Sequence, residues 1–165
     1  VAPPIQEDET AIIVFMFSQY FIAQNDPSLL KDFYGSMIVP MANFLTEFVD
    51  QSTGLPKPSY DLWEEYYMVT TYSTAVTYAA LLAASDLAGI AGDDSHAVQW
   101  RTAADDIKTA AEKKSGSGSS DSSSDRCAAF SVDVLLHWSK CLGKLGLFSE
   151  REDQVVEFAI VVKES

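Results

Sequence analysis

The run Thr71-Tyr72-Ser73-Thr74-Ala75-Val76-Thr77-Tyr78-Ala79-Ala80-Leu81-Leu82-Ala83-Ala84-Ser85-Asp86-Leu87-Ala88-Gly89-Ile90-Ala91 carries a single acid and no base. It is rich in alanine, the best helix former, and glycines at Gly89 and Gly92 close it. It therefore reads as a buried helix. Its small residues Ala79, Ala80, Ala83 and Ala84 let a second helix approach closely. An element of this kind implies an all-α domain of packed antiparallel helices.

Immediately upstream lies Ser59-Tyr60-Asp61-Leu62-Trp63-Glu64-Glu65, with three carboxylates and two aromatic rings in seven residues. It follows a Pro/Gly loop, Thr53-Gly54-Leu55-Pro56-Lys57-Pro58, within a connecting segment over residues 50–60. Loops held by rigid helices are where catalytic and binding groups concentrate. Two adjacent carboxylates facing one pocket cannot both ionise cheaply, so Glu64 and Glu65 must differ in environment. Such a separation of pKa values is what lets one carboxyl donate a proton near neutral pH.

Further upstream, residues 1–8 are an extended, Pro-rich lead-in. Glu9 to Gln24 is predicted helical, with Asp8 as N-cap and Asn25-Asp26-Pro27 as stop. Ile12, Ile13, Phe15, Met16, Phe17, Phe21 and Ile22 cover more than one of its faces, which calls for neighbours on several sides. Ser28 to Val49 is a second helical stretch, with Leu29, Leu30, Phe33, Met37, Ile38, Met41, Phe44, Leu45 and Phe48 at helical spacing. Pro40 should kink or divide it.

Downstream, Ser95 to Lys114 is predicted helical, with Ser95 as N-cap and Lys113-Lys114 at the end favoured by the macrodipole. Ser115 to Asp125 contains only Ser, Gly and Asp and reads as a linker, natural or engineered. It separates a helical segment over 1–114 from a C-terminal segment over 126–165. There Ala128 to Leu142 is amphipathic, and Glu152 to Lys163 fits either a helix or a strand.

Composition narrows the function classes. The chain of 165 residues suits one domain and carries a net charge of −13. That charge disfavours nucleic acid and anionic membrane surfaces as partners. The longest apolar run, Ala11 to Phe17, is too short to span a bilayer. Val1-Ala2-Pro3-Pro4 shows no basic lead into an apolar stretch. Cys127 and Cys141, on one predicted helix, would stand roughly 21 Å apart, too far for a disulfide. Neither feature assigns a compartment.

Several short segments occur in a telling order: Gln6-Glu7-Asp8-Glu9-Thr10-Ala11, Pro40 with Asn43-Phe44-Leu45, Thr53-Gly54-Leu55-Pro56, Ser59 to Glu65, and Thr71-Tyr72-Ser73. Together they resemble the glucoamylase family, glycoside hydrolase family 15, over about residues 4–114. The Tyr60-Asp61-Leu62-Trp63-Glu64-Glu65 motif is the most specific of them. The resemblance implies antiparallel helical hairpins forming part of an (α/α)6 barrel. It also implies inverting hydrolysis of α-linked glucosides or maltooligosaccharides, without metal or organic cofactor. By the same resemblance Glu64 is the general acid, Asp61 supports it, and Trp63, Glu65 and Tyr60 contribute to the sugar subsites. An inverting glycosidase pairs such an acid with a base roughly 6.5–9.5 Å away across a water.

The chain departs from the family pattern after the two acids, where Tyr66-Tyr67-Met68 replaces an Arg and a following Gly. Twelve helices with short loops need roughly 200 residues or more, whereas about six or seven helical stretches are discernible. No counterpart of the general base is recognisable, so the chain reads either as such a glycosidase or as a fragment of one that lacks the base. The alternative function is a non-catalytic helical module that binds sugar or serves as a scaffold. A third is a binding protein whose helix Ala128 to Leu142 mediates protein contacts, self-association included.

Blander readings apply elsewhere. On spacing alone Glu64 is a solvated or N-capping carboxylate, and Trp63 fits a core ring as well as a sugar platform. Trp100 and Trp138 read as core rings, and His96 as a surface residue. Asp93-Asp94 and Asp105-Asp106 read as helix-start and solvated charges. His137 and Cys141, one turn apart, do not fill a tetrahedral metal site.

Overall fold

A computed structural model describes residues 5–60 and 67–115 of the chain. The described residues are all-α apart from one two-stranded ladder. In chain order they form α1 (Glu7–Gln24), α2 (Pro27–Phe33), a π-helical turn (Tyr34–Ile38), α3 (Val39–Glu47), β1 (Ser59–Tyr60), β2 (Tyr67–Met68), α4 (Thr71–Ala91) and α5 (Asp94–Ser115). The segments 115–125 and 126–165 of the sequence reading, including Trp138, His137 and Cys141, lie outside the described residues except for Ser115.

Helix α4 is the centre of the core. It packs most extensively on α5 and α1 and also meets α2 and α3. Ala79, Ala80, Ala83 and Ala84 are all buried, as their small size requires where helix backbones approach closely. Thr70 caps the helix by accepting from the Ser73 N–H at 3.0 Å. The other end falls after Ala91, as expected; of the two closing glycines, Gly89 lies inside the helix and Gly92 ends it. Gly92 adopts φ +79°, its N–H reaches the Gly89 carbonyl at 3.2 Å, and the Asp93 N–H reaches Ala88 at 2.9 Å. That is a Schellman closure, which a residue with φ > 0 makes possible. By length and composition α4 could cross a membrane, but 78% of its apolar window is buried inside the protein.

The short turn at Gly92-Asp93 sends α5 back along α4 as a helical hairpin. The Ser85 hydroxyl donates to the Ala97 carbonyl at 2.8 Å across this pair. Asp93, not Ser95, caps α5, accepting from the His96 N–H at 3.2 Å. Ser95 falls in the first turn because the chain enters the helix directly after the Schellman turn. His96 is correspondingly not a free surface residue. Its Nδ1 lies 2.6 Å from Asp93 Oδ2, and its ring stacks on Trp100 with centroids 4.7 Å apart. Trp100 is fully buried, as expected of a core ring. Lys113 and Lys114 occupy the last turn of α5, and Asp105 and Asp106 are exposed.

Helix α1 begins two residues earlier than expected, at Glu7 rather than Glu9. Gln6 holds the N-cap position with extended backbone and no side-chain cap. Asp8 is therefore inside the first turn, with Glu7 and Glu9 beside it. Asn25 ends α1 in the left-handed region at φ 50°, and Asp26 caps α2 by accepting from the Ser28 N–H at 2.9 Å. One face of α1, through Ala11, Val14 and Phe21, enters the core, while Ile13, Met16 and Tyr20 are exposed.

The second helical stretch divides, as Pro40 requires. The division is a widened π turn over Tyr34–Ile38, closed by the Val39 N–H on the Tyr34 carbonyl, with Pro40 in the first turn of α3. An ordinary α turn would drive the proline ring into the carbonyl of Ser36. The wider turn brings Ile38, Ala42 and Leu45 into the core, while Phe33 stays 42% exposed.

The Pro/Gly loop is firmly seated. Val49 and Pro56 form an isolated antiparallel bridge, and the Lys57 N–H donates to the Phe48 carbonyl at 2.9 Å. Gly54 has φ +73°, and a Cβ there would stand 2.9 Å from Ala110 Cβ on α5.

Candidate functional site

The connecting segment is more ordered at its end than expected. Ser59 and Tyr60 form β1, which pairs antiparallel with β2 in the register Ser59↔Met68 and Tyr60↔Tyr67. The chain leaves this ladder at Tyr60 and rejoins it at Tyr67. Both ends of the Asp61–Tyr66 stretch are thereby held side by side, because the ladder fixes Tyr60 opposite Tyr67. Of the expected site residues, Tyr60 is placed by the structure. Asp61, Trp63, Glu64 and Glu65 lie outside the described residues.

Tyr60 is half-buried and meets Tyr67 edge to face, with ring centroids 5.3 Å apart at 69°. The pair is a cross-strand aromatic contact, an arrangement that stabilises a short ladder. Tyr67 is 64% exposed, so one side of its ring faces solvent beside the motif.

Beneath the ladder is a buried polar cluster absent from the sequence reading. Glu7 and Asp8 are each 1% exposed, Ser59 is fully buried and Ser73 is 1% exposed. Three elements meet here: the start of α1, β1, and the first turn of α4. Burial pushes the Glu7 carboxyl above the ordinary carboxylate range, and the neighbouring Asp8 charge adds to this. The Ser59 and Ser73 hydroxyls approach Glu7 and oppose the shift. Neither closes a hydrogen bond of good geometry, and both Glu7 oxygens are left without a donor. Tyr72, at the same end of α4, is pushed up to about 12 by burial and then by Asp8.

The hydroxyls around Glu7 are already engaged with one another. Ser59 Oγ donates to the Tyr60 carbonyl at 3.3 Å. Ser73 Oγ lies 2.9 Å from Thr70 Oγ1. The cluster thus reaches from the N-cap of α4 to the carbonyl that precedes Asp61.

A trace of this was present in the sequence. Glu7, Ala11, Val14, Ser18 and Phe21 share the buried face of α1. An acid on the core stripe of a helix, rather than on its polar face, is the signal that marks Glu7. The general preference for acids in a first helical turn conceals it.

Among the described residues no group of three or more His, Cys, Asp or Glu could hold a metal ion. The groups gathered at this end of α4 are carboxyls, hydroxyls and aromatic rings.

Compared with known families, the chain matches the model for Glycosyl hydrolases family 15 over residues 3–138. The match extends past residue 114, across the Ser/Gly/Asp stretch and into the helix predicted from Ala128. No curated relative matches the chain.

Proposed function

Because the chain belongs to glycosyl hydrolases family 15, we propose that it acts on α-linked glucosides by an inverting acid/base mechanism, with Glu64 as general acid. The observation that carries this reading is the family match across the Tyr60-Asp61-Leu62-Trp63-Glu64-Glu65 motif. The β1–β2 ladder supports it, since it secures both ends of the segment that bears the acid.

In this reading Glu64 protonates the departing glycosidic oxygen while a base takes a proton from the attacking water on the opposite face. Glu65 stays ionised and accepts sugar hydroxyls, which separates the roles of the two neighbours. Trp63 offers its face to the apolar side of a glucose ring, Tyr60 and Glu65 contribute to the same subsites, and Asp61 supports the acid. The base is supplied from outside the motif.

Glucose release from maltose or starch, compared between the parent and Glu64→Gln, tests the proposal. Turnover in the parent and its loss in the variant are expected. No turnover in the parent sinks the reading for this chain, and a sugar-dependent change in Trp fluorescence without turnover points to the binding module instead.

A further inference from the structure

We propose that Glu7 is a positioning residue for the acid-bearing segment, tying β1 to the first turn of α4 through a chain of hydroxyls. The starting observation is an imbalance. Glu7 is 1% exposed and has two buried oxygens without a donor. A carboxylate in such a place is costly unless donors surround it. Its neighbours are two serine hydroxyls whose protons have other acceptors within reach.

Ser59 gives its proton to the Tyr60 carbonyl, 3.3 Å away. Ser73 lies 2.9 Å from Thr70 Oγ1, which also accepts the Ser73 N–H. Once the Ser59 and Ser73 side chains turn onto the unpaired Glu7 oxygens, one arrangement satisfies every group. Thr70 O–H donates to Ser73 Oγ, and Ser73 O–H donates to one Glu7 oxygen. The other Glu7 oxygen carries a proton and donates it to Ser59 Oγ, and Ser59 O–H donates to the Tyr60 carbonyl. Each hydroxyl then donates once, and the line runs unbroken from the α4 N-cap to the residue before Asp61. Only a neutral Glu7 completes it, because an ionised one has no proton to give Ser59.

Burial and the neighbouring charge favour that state and outweigh the serine hydroxyls and the Glu7 backbone N–H, which favour the ionised one. On α1 its neighbour Asp8 repels a second negative charge. On α4 the nearby Tyr72 is buried and stays neutral at physiological pH. On β1, Ser59 contributes a hydroxyl and no charge. No cation acts on Glu7 from any of these elements. Ionisation would break the link at Ser59, loosen β1, and release the near end of the motif.

Amide hydrogen exchange in the full chain, from about pH 4 to about pH 8, tests this with Glu7→Gln and Glu7→Leu. Gln keeps an N–H for Ser59 and a carbonyl for Ser73 at every pH. Protection of the Ser59–Tyr60 and Tyr67–Met68 amides should fall roughly tenfold in the parent as pH rises, stay level in the Gln variant, and be low throughout in the Leu variant. Should Glu7→Leu lose its helical circular dichroism, the comparison of parent with Gln decides alone. The same protection factors in parent and Gln variant at every pH overturn the proposal.

The catalytic consequence rests on the glycosidase reading. If the parent turns over maltose, Glu7→Gln moves the alkaline limb of kcat to higher pH. If the parent shows no turnover, the glycosidase reading falls, and the exchange measurement still decides the role of Glu7.

Discussion

The indole N–H of Trp100 donates to Asn43 Oδ1 at 3.0 Å, joining α5 to α3 across the core. Asn43 belongs to one of the segments that resemble the glucoamylase family. Its work in the described structure is to satisfy a donor on a fully buried ring. Replacing it with Ala leaves that N–H without its partner, which costs about 1–3 kcal/mol. Urea denaturation of Asn43→Ala should show this loss with an unchanged m-value. A loss below about 0.5 kcal/mol would mean that the bond contributes little.

Gly54 is constrained twice, by φ +73° and by a Cβ position 2.9 Å from Ala110 Cβ. Gly54→Ala should destabilise by more than about 1 kcal/mol, since both the dihedral and the contact oppose it. Adding Ala110→Gly relieves the contact and leaves the dihedral cost. The double variant should therefore recover only part of the loss, after allowing for Ala110→Gly alone. Full recovery would assign the whole effect to packing.

Asp93 gathers the start of α5. It accepts from the Tyr34 hydroxyl at 3.0 Å and lies 2.6 Å from His96 Nδ1. The His96 contacts hold its carboxyl below the ordinary value of 3.8. A carboxyl with a depressed folded pKa contributes stability above its unfolded value and loses it as pH falls through the folded one. Asp93→Asn keeps a capping oxygen and removes the charge. Its melting temperature should lie below the parent's at neutral pH, with the gap closing in acid below about pH 3.8. A gap independent of pH would show that the charge is not what matters.

Glu7 has the opposite sign. Its folded pKa is raised above the ordinary 4.5, chiefly by burial. Folding then favours the protonated form, so the stability linked to Glu7 is full below about pH 4.5 and is lost as pH rises through the raised value. Glu7→Gln has no proton to lose. Relative to the parent it should gain stability between acid and neutral pH, measured by denaturation at several pH values. A parallel pair of stability curves would contradict the shift.

Met16 and Tyr20 share an exposed stripe of α1 with Ile13. The bulk apolar pattern of α1 calls for neighbours on several faces, and the described helices cover one. Polar substitutions on this stripe, such as Ile13→Gln, should change the folding stability of the described core by less than about 0.5 kcal/mol. Val14→Ala on the opposite, fully buried side should cost more than about 1 kcal/mol. Equal costs would show that both faces are packed in solution.

Much of this architecture is legible along the chain because local chemistry decides it. Asn25-Asp26-Pro27 ends one helix and opens the next, since Asn tolerates φ > 0, Asp caps, and Pro suits a first turn. Pro40 divides the following stretch for want of an N–H. Gly92 stops α4 because the Schellman turn needs a left-handed residue. The motif from Tyr60 to Glu65 is a matter of residue order alone, and with it comes the family. Less legible were the start of α1 and the cap of α5. In both cases several adjacent acids compete for one role, and the tertiary setting chooses among them.

The sequence by itself determined the helical class, most helix ends and the family, because each depends on neighbours a few residues apart. Tertiary structure alone decided that Glu7 and Asp8 are buried, that His96 stacks on Trp100, and that Ser59–Tyr60 pairs with Tyr67–Met68. Those outcomes depend on which distant surfaces meet, and desolvation at such a meeting turns an ordinary helix-start acid into a carboxyl held above its usual pKa.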